Sequence, residues 1–388
     1  MKIALIEICE ANHYNAVEAL ALTYAVSKSN QITVFITDEM AKLYHFKEDN
    51  IQIIKKNKDQ SVTDFLASIN QINFDRIHIN TISTYFKEFA FIDWKSKVIL
   101  TVHNLDTWFN NGFSRRRKLL SFKLLNPSKN PSLKHNFYLP IKYFFKDFKH
   151  QDYRDQIIHK IKNSESQILV YSESQKTYLT QFIEKKKIIA FPFCIHQESE
   201  DLSINHQKLR ICIPGMVDTH RRDYDSLFFV LTDHVDDFKG KLTIDLLGFI
   251  PDSGKYLIPK IKQLNEAGID VIFNEEFISK DVFQKRLFSS DIILGNLKVN
   301  INSQSKYGET KETGVIFNLI KAAKPGIFPV GYPIPTDLKS SCISYQNDLY
   351  PVIFDLIQDQ NKLNKLKESA KIAVQNYEPQ NLFAQLVN

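Results

Sequence analysis

Short apolar runs alternate with segments of helical spacing along most of the chain. Residues 2–8 (KIALIEI) predict a buried first strand, and 31–37, 51–54, 76–80 and 97–102 predict four more. Between them, 14–29 and 62–69 set apolar residues three and four apart, the spacing of one helix face. The pattern returns with a helix at 153–162 and then at 168–171, 173–182 and 188–191, and a polar tract at 197–208 then interrupts it. A second alternating series follows, with predicted strands at 209–213, 243–248, 270–273, 292–295 and 343–345. Helical spacing at 255–267, 280–289, 349–357 and 363–376 separates or follows them, and 380–387 predicts a last helix packing back on the first domain. Strands that alternate with helices form parallel, doubly wound sheets. The expectation is therefore α/β: two Rossmann-like domains facing across a cleft. They comprise 1–192 and 209–375, joined by a linker at 193–208 and closed by a C-terminal helix at 376–388.

Length agrees with this division, since 388 residues suffice for two ordinary domains. Cys9, Cys194, Cys212 and Cys342 are far apart and form no C-x-x-C pair, so they predict reduced thiols rather than a disulfide or zinc framework. No signal peptide and no spanning apolar run is legible, which points to a cytoplasmic protein. Charge changes the picture more. The segment 113–149 carries ten Lys and Arg against the single acid Asp147, a net +9. The whole chain is +6, leaving −3 for the remainder. Aromatics interleave these charges, among them Phe122, Tyr138, Phe144, Phe145 and Phe148. Such a mixture suits an anionic membrane surface, placing the protein peripherally at the inner face of the cell membrane. An insertion folding back on its own domain and a nucleic-acid surface are the alternatives, and nucleic acid is not the expected partner.

Candidate chemistry sits where the predicted strands end, because ligands of open parallel sheets bind beyond their carboxyl ends. The first strand leads to Glu10 and His13, and 97–102 leads to His103 and Asn104. No glycine lies between Cys9 and Asn15, so no dinucleotide fingerprint is present and no cofactor is expected. In the second half, Gly215 follows a strand and precedes Arg221 and Arg222, a glycine and a basic pair suited to phosphate. Asp223 and Asp225 form a D-x-D pattern. The sequence reads them as caps of the following helix rather than metal ligands.

The stretch 306–329 reads as a polar loop, a helix and a short strand. Thr313 is a good N-cap, and Gly314 leaves the first turn open to a ligand. The unpaired N–H groups there, with Lys306 and Lys311, would bind an anion.

With these motifs in view, nearly the whole chain resembles the GT-B superfamily of glycosyltransferases. Val102-His103-Asn104 resembles the strand-end motif of the acceptor domain. Gly215 with Arg221 and Arg222 resembles the pair that holds a donor diphosphate. Phe277-Ile278-Ser279 lies where the family places the nucleotide base. Glu312-Thr313-Gly314 through Lys324-Pro325 resembles the donor-binding helix. Many retaining members carry acids within that helix, whereas here its interior is Phe317-Asn318-Leu319-Ile320, with Glu309 and Glu312 the nearest.

The resemblance implies metal-independent transfer of a sugar from a nucleotide diphosphate, uridine or guanosine, to a glycan or lipid-linked acceptor in cell-surface polysaccharide or glycoconjugate synthesis. Catalytic roles fall to His13, Arg222 and His103. Donor contacts fall to Gly215, Arg221, Phe277, Lys306, Tyr307, Lys311, Thr313, Gly314 and Val315, and acceptor contacts to Glu10 and Asn104. The competing readings are a non-catalytic glycan- or partner-binding protein of the same fold and a nucleotide-sugar epimerase.

Overall fold

A computed structural model describes residues 1–109, 120, 138–196, 207–302 and 304–387. The chain divides into two compact units. One comprises Met1–Phe193 with Leu382–Asn388, the other Cys194–Asn381.

The first unit is built on seven parallel strands: β1 (Lys2–Glu7), β2 (Gln31–Thr37), β3 (Ile51–Lys56), β4 (Arg76–Ile79), β5 (Lys97–Thr101), β6 (Gln167–Val170) and β7 (Ile188–Ala190). Their order is β3-β2-β1-β4-β5-β6-β7. Ile3, Ala4, Leu5 and Ile6 of β1 are buried on both faces, which is why a central parallel strand reads as an unbroken apolar run. Helices Tyr14–Ala25, Val62–Gln71 and Leu139–Lys162 flank the sheet. One expectation needs correction here. Helix was expected only from residue 153, but it starts at Leu139, with Pro140 in its first turn where a missing N–H costs nothing. The end of the basic aromatic segment is therefore helical, and its dense charge hid the periodicity. Residues 113–119 and 121–137 of that segment lie outside the described residues, as does most of the polar linker tract. The last helix, Pro379–Val387, returns to this unit. The Arg76 guanidinium donates there to the carbonyls of Leu386 and Val387, the latter at 2.9 Å.

The second unit has six parallel strands: β8 (Leu209–Ile213), β9 (Leu242–Phe249), β10 (Asp270–Asn274), β11 (Ile292–Leu294), β12 (Gly326–Pro329) and β13 (Cys342–Tyr345). Their order is β10-β9-β8-β11-β12-β13. Helices Tyr224–Asp233, Ile258–Glu266, Gly314–Ala322, Tyr350–Gln358 and Gln360–Val374 surround it. In its core Asp245 is fully buried, and Arg210 and Arg286 neutralise it, Arg210 at 2.6 Å. All four cysteines are free thiols, and Cys194 and Cys212 are buried.

Both orders reverse direction once, between β1 and β4 and between β8 and β11. A crevice opens at such a switch point beyond the carboxyl ends of the strands. Those two places hold the candidate chemistry.

Candidate active site

In the first unit, three strand ends converge. His13 ends a short 3₁₀ turn after β1, Thr81 follows β4, and His103 follows β5. The two imidazoles stack with centroids 4.0 Å apart and planes 11° from parallel. Thr81 lies between them, its Oγ1 2.8 Å from His13 Nδ1 and 2.9 Å from His103 Nε2. His103 Nε2 is also 2.9 Å from the Asn80 carbonyl, which only accepts, so that nitrogen carries the proton. His103 Nδ1 is then bare and accepts from the Tyr171 hydroxyl at 2.8 Å. Phe193 packs edge-on against both imidazoles and against Tyr171. Burial, reinforced by His13, pushes the His103 pKa down to about 3, so its ring stays neutral. Burial also lowers that of His13, opposed by the Glu10 charge.

Beneath the pair sits Glu7, the last residue of β1 and fully buried. Its carboxylate accepts from the Cys9 and Glu10 N–H groups at 2.8 and 3.0 Å and from the Asn80 amide at 2.7 Å. Burial raises the Glu7 pKa in spite of these hydrogen bonds. The same carboxylate lies 3.9 Å from His13 Nδ1.

Glu10 is held by the Ser83 hydroxyl at 2.8 Å, and Asn104 is exposed at the start of a one-turn helix. The structure thus brings His13, His103 and Glu10 together. It adds Glu7, Thr81 and Tyr171, which the sequence reading passed over. Thr81 had a legible signal, since it follows a predicted strand as His13 and His103 do.

In the second unit, Gly215 follows β8 with φ +95°, in the left-handed region that favours glycine. A side chain there would also meet Arg222 Nη2 at 3.0 Å. Gly248, near the end of β9, allows still closer packing, because a Cβ would stand 2.2 Å from the Gly215 carbonyl oxygen. Arg222 Nη2 donates to the Pro214 carbonyl at 2.5 Å, while its Nη1 is buried with no protein partner. The neighbouring Arg221 differs. It pairs with Asp218 at 3.2 Å, so the two arginines do not form one fork.

Thr313 caps the helix Gly314–Ala322, its hydroxyl accepting from the Val315 N–H at 3.3 Å. Space around Gly314 is open, and the Val315 side chain is buried. Glu312 accepts from the Thr313 N–H at 2.9 Å and from the Tyr332 hydroxyl at 2.6 Å, so it holds the loop at the helix start. Lys306 pairs with Glu309 at 3.0 Å, which offsets its charge, and the Tyr307 side chain is buried. Lys311 lies in the tight turn that the Gly308 N–H closes on the Lys311 carbonyl. Phe277 is 84% exposed and packs on Phe249 with centroids 4.1 Å apart.

Asp223 caps the helix Tyr224–Asp233 through Ser226, and Asp225 meets Tyr256 and Lys260. Among the described residues no group of three or more His, Cys, Asp or Glu is placed to hold a metal ion.

Two units with Rossmann-like parallel sheets and these strand orders define the GT-B fold of glycosyltransferases. No family model and no curated protein matches the sequence. Among solved structures, the whole chain is similar to 98% of Anabaena Alr3699/HepE in complex with UDP and glucose, with a TM-score of 0.61 at 12% identity. It is also similar to 96% of AviGT4, a glycosyltransferase involved in avilamycin A biosynthesis, with a TM-score of 0.55 at 9% identity. The N-terminal domain of Candida albicans trehalose-6-phosphate phosphatase gives 0.57 at 11% identity over 95% of its length.

Proposed function

We propose that this protein is a glycosyltransferase using a nucleotide diphosphate sugar. The observation that carries the reading is Arg222. One of its nitrogens is fixed on the Pro214 carbonyl beside Gly215, and the other is buried without a partner. A buried guanidinium N–H without an acceptor is costly, and a diphosphate oxygen would supply one. The open first turn at Gly314 offers backbone N–H groups to the same kind of anion. Phe277, exposed on Phe249, gives a flat surface for the base, and Lys311 and Arg221 add charge.

In the reaction, the acceptor hydroxyl oxygen bonds to the anomeric carbon as the bond from that carbon to the diphosphate breaks. The electron pair of the broken bond goes to the diphosphate, where Arg222 and the helix start stabilise it without a metal. The acceptor's proton goes to His13 in an inverting reaction. Among the described residues no protein group hydrogen-bonds His13 Nε2. Glu10, His103 and Asn104 contact the acceptor or the transferred sugar. The acceptor is a glycan or lipid-linked glycan of the cell surface, which the basic segment 113–149 approaches on the inner membrane face.

A melting-temperature screen against nucleoside diphosphates tests the donor assignment. Stabilisation by uridine or guanosine diphosphate that persists in chelator supports it. Stabilisation that chelator abolishes returns Asp223 and Asp225 to consideration as metal ligands, and no shift with any diphosphate removes the donor site.

A further inference from the structure

We infer that the cavity at the carboxyl ends of β11, β12 and β13 is a saccharide subsite, separate from the donor cradle, that takes one uncharged sugar ring. It does not depend on the donor reading, since it uses neither Arg222 nor the helix start at Gly314. The cavity has a volume of about 380 Å³, within the range of small-molecule sites. Alternation along the strands builds it. Ile292 and Leu294 of β11, Ile327 of β12 and Ile343 of β13 turn toward the core they share with the helices Tyr224–Asp233 and Tyr350–Gln358. Two positions further along, the same rows bring Asn296, Pro329 and Tyr345 to the cavity. Val230 and Leu349 complete its apolar wall.

A short backbone bridge divides this cavity from the donor cradle. Arg222 pairs there with Leu297, and the Asp223 N–H donates to the Asn296 carbonyl at 3.3 Å. Successive pairs face opposite ways, so Asp223 and Asn296 turn from Arg222 toward the cavity they line.

Asn296 is the observation that points to a ligand. It continues the row of Ile292 and Leu294 with an amide where an apolar side chain would pack. It is 1% exposed, and among the described residues neither its oxygen nor its nitrogen has a hydrogen-bond partner. A buried amide left in that state is costly. Two neighbouring sugar hydroxyls satisfy both ends, one donating to the oxygen and the other accepting from the nitrogen.

The rest of the lining selects the class. Among the described lining residues Asp223 is the one carboxylate and Lys298 the one cation. Lys298 Nζ is turned to the Thr219 carbonyl at 2.9 Å, so the Asp223 charge disfavours a phosphate or a carboxylate. Asp223 accepts from the Ser226 N–H and hydroxyl and keeps lone pairs for further hydroxyls. Polar groups on one side and Val230, Pro329 and Leu349 on the other match a pyranose, which carries hydroxyls at its edge and C–H groups on its faces. A nucleobase would need an aromatic on each side, and Tyr345 is the one aromatic among the described lining residues.

Saturation-transfer NMR of the full chain reads binding without any transfer reaction. The probes are methyl α-glucoside, methyl α-galactoside, methyl α-mannoside and N-acetylglucosamine, one at a time. At least one is expected to bind, equally with and without excess uridine diphosphate. Val330 is exposed at the cavity, so Val330→Trp fills it from outside, and Asn296→Leu removes the amide. Each is expected to weaken that sugar roughly tenfold or more. Asn296→Leu is also expected to keep or raise the melting temperature, because its amide has no protein partner to lose. Four sugars that fail to bind overturn the inference, as does a sugar displaced by uridine diphosphate or by adenosine. Undiminished binding in a folded Val330→Trp overturns it too, even if Asn296→Leu does not fold. Failure of uridine diphosphate itself to bind would count against the proposed function alone, since the sugar is measured without it.

Discussion

Arg222 has a structural bond and, in the proposed function, a contact with the donor, and the two predict separable losses. Its bond to the Pro214 carbonyl is a charged hydrogen bond in a half-buried place, so Arg222→Ala is expected to destabilise by about 1.5–3 kcal/mol. In the proposed reaction its second nitrogen meets charge that grows only in the transition state, so the rate is expected to fall by about 10²–10³. Turnover measured well below the variant's melting temperature separates the two. Unchanged turnover would move the diphosphate contact to Arg221.

Buried neutral histidines give a second residue-scale prediction. His78 is fully buried against the Tyr24 hydroxyl, and burial pushes its pKa to about 3, as at His103. Their unfolded counterparts titrate near the ordinary value of 6.5. Between these limits the unfolded chain binds more protons than the folded one. Stability is then full above pH ~6.5 and falls as pH drops toward 3, by up to about 1.4 kcal/mol per pH unit for each histidine. Denaturant midpoints measured across that range check the slope. His78→Gln is expected to flatten it, and an unaltered slope would exclude His78 as a contributor.

At the scale of the element, the helix Gly314–Ala322 is set by its ends. Thr313 caps its start, and Ala323 ends it in the left-handed conformation at φ 50°. Thr313→Ala removes the acceptor for the Val315 N–H and is expected to cost about 0.5–2 kcal/mol. It should also weaken nucleoside diphosphate binding if the same turn holds the anion, so calorimetric affinity and melting temperature should fall together. Loss of stability with undiminished affinity would separate the helix start from the donor. The helix Leu139–Lys162 carries a different surface. Tyr138, Ile141, Phe145 and Phe148 are exposed at spacings of three and four, on one side of its first turns. With the basic residues around them they suit an anionic bilayer, so binding to anionic vesicles is expected to weaken as salt screens the charges. Equal binding to neutral vesicles would point to the aromatics alone.

The whole molecule is two units with separate cores, and ligand effects should respect that division. A nucleoside diphosphate is expected to slow amide exchange around Gly215, Arg222 and Gly314 while leaving β1 and β4 unchanged. At 100 times the dissociation constant it adds roughly 2.7 kcal/mol to the stability of the state it binds. Protection centred on His13 and His103 instead would place the nucleotide in the first unit.

What the sequence determined by itself was periodic. Central parallel strands are buried on both faces, so β1 and β5 appear as unbroken apolar runs, and the alternation with helices defines two parallel α/β units. Strand ends and helix caps are equally legible, which is why His13, His103 and Gly215, and Thr313 as a cap, stand out from the sequence. Strand order is not periodic, and neither is the pairing of polar side chains. Only the tertiary structure set β1 beside β4 and so brought Thr81 between two histidines 90 positions apart in the chain. Only it turned Arg222 inward while tying Arg221 to Asp218. Hydrogen bonds among buried groups depend on distances of a few tenths of an ångström, and those are fixed by how whole elements pack rather than by any local run of residues.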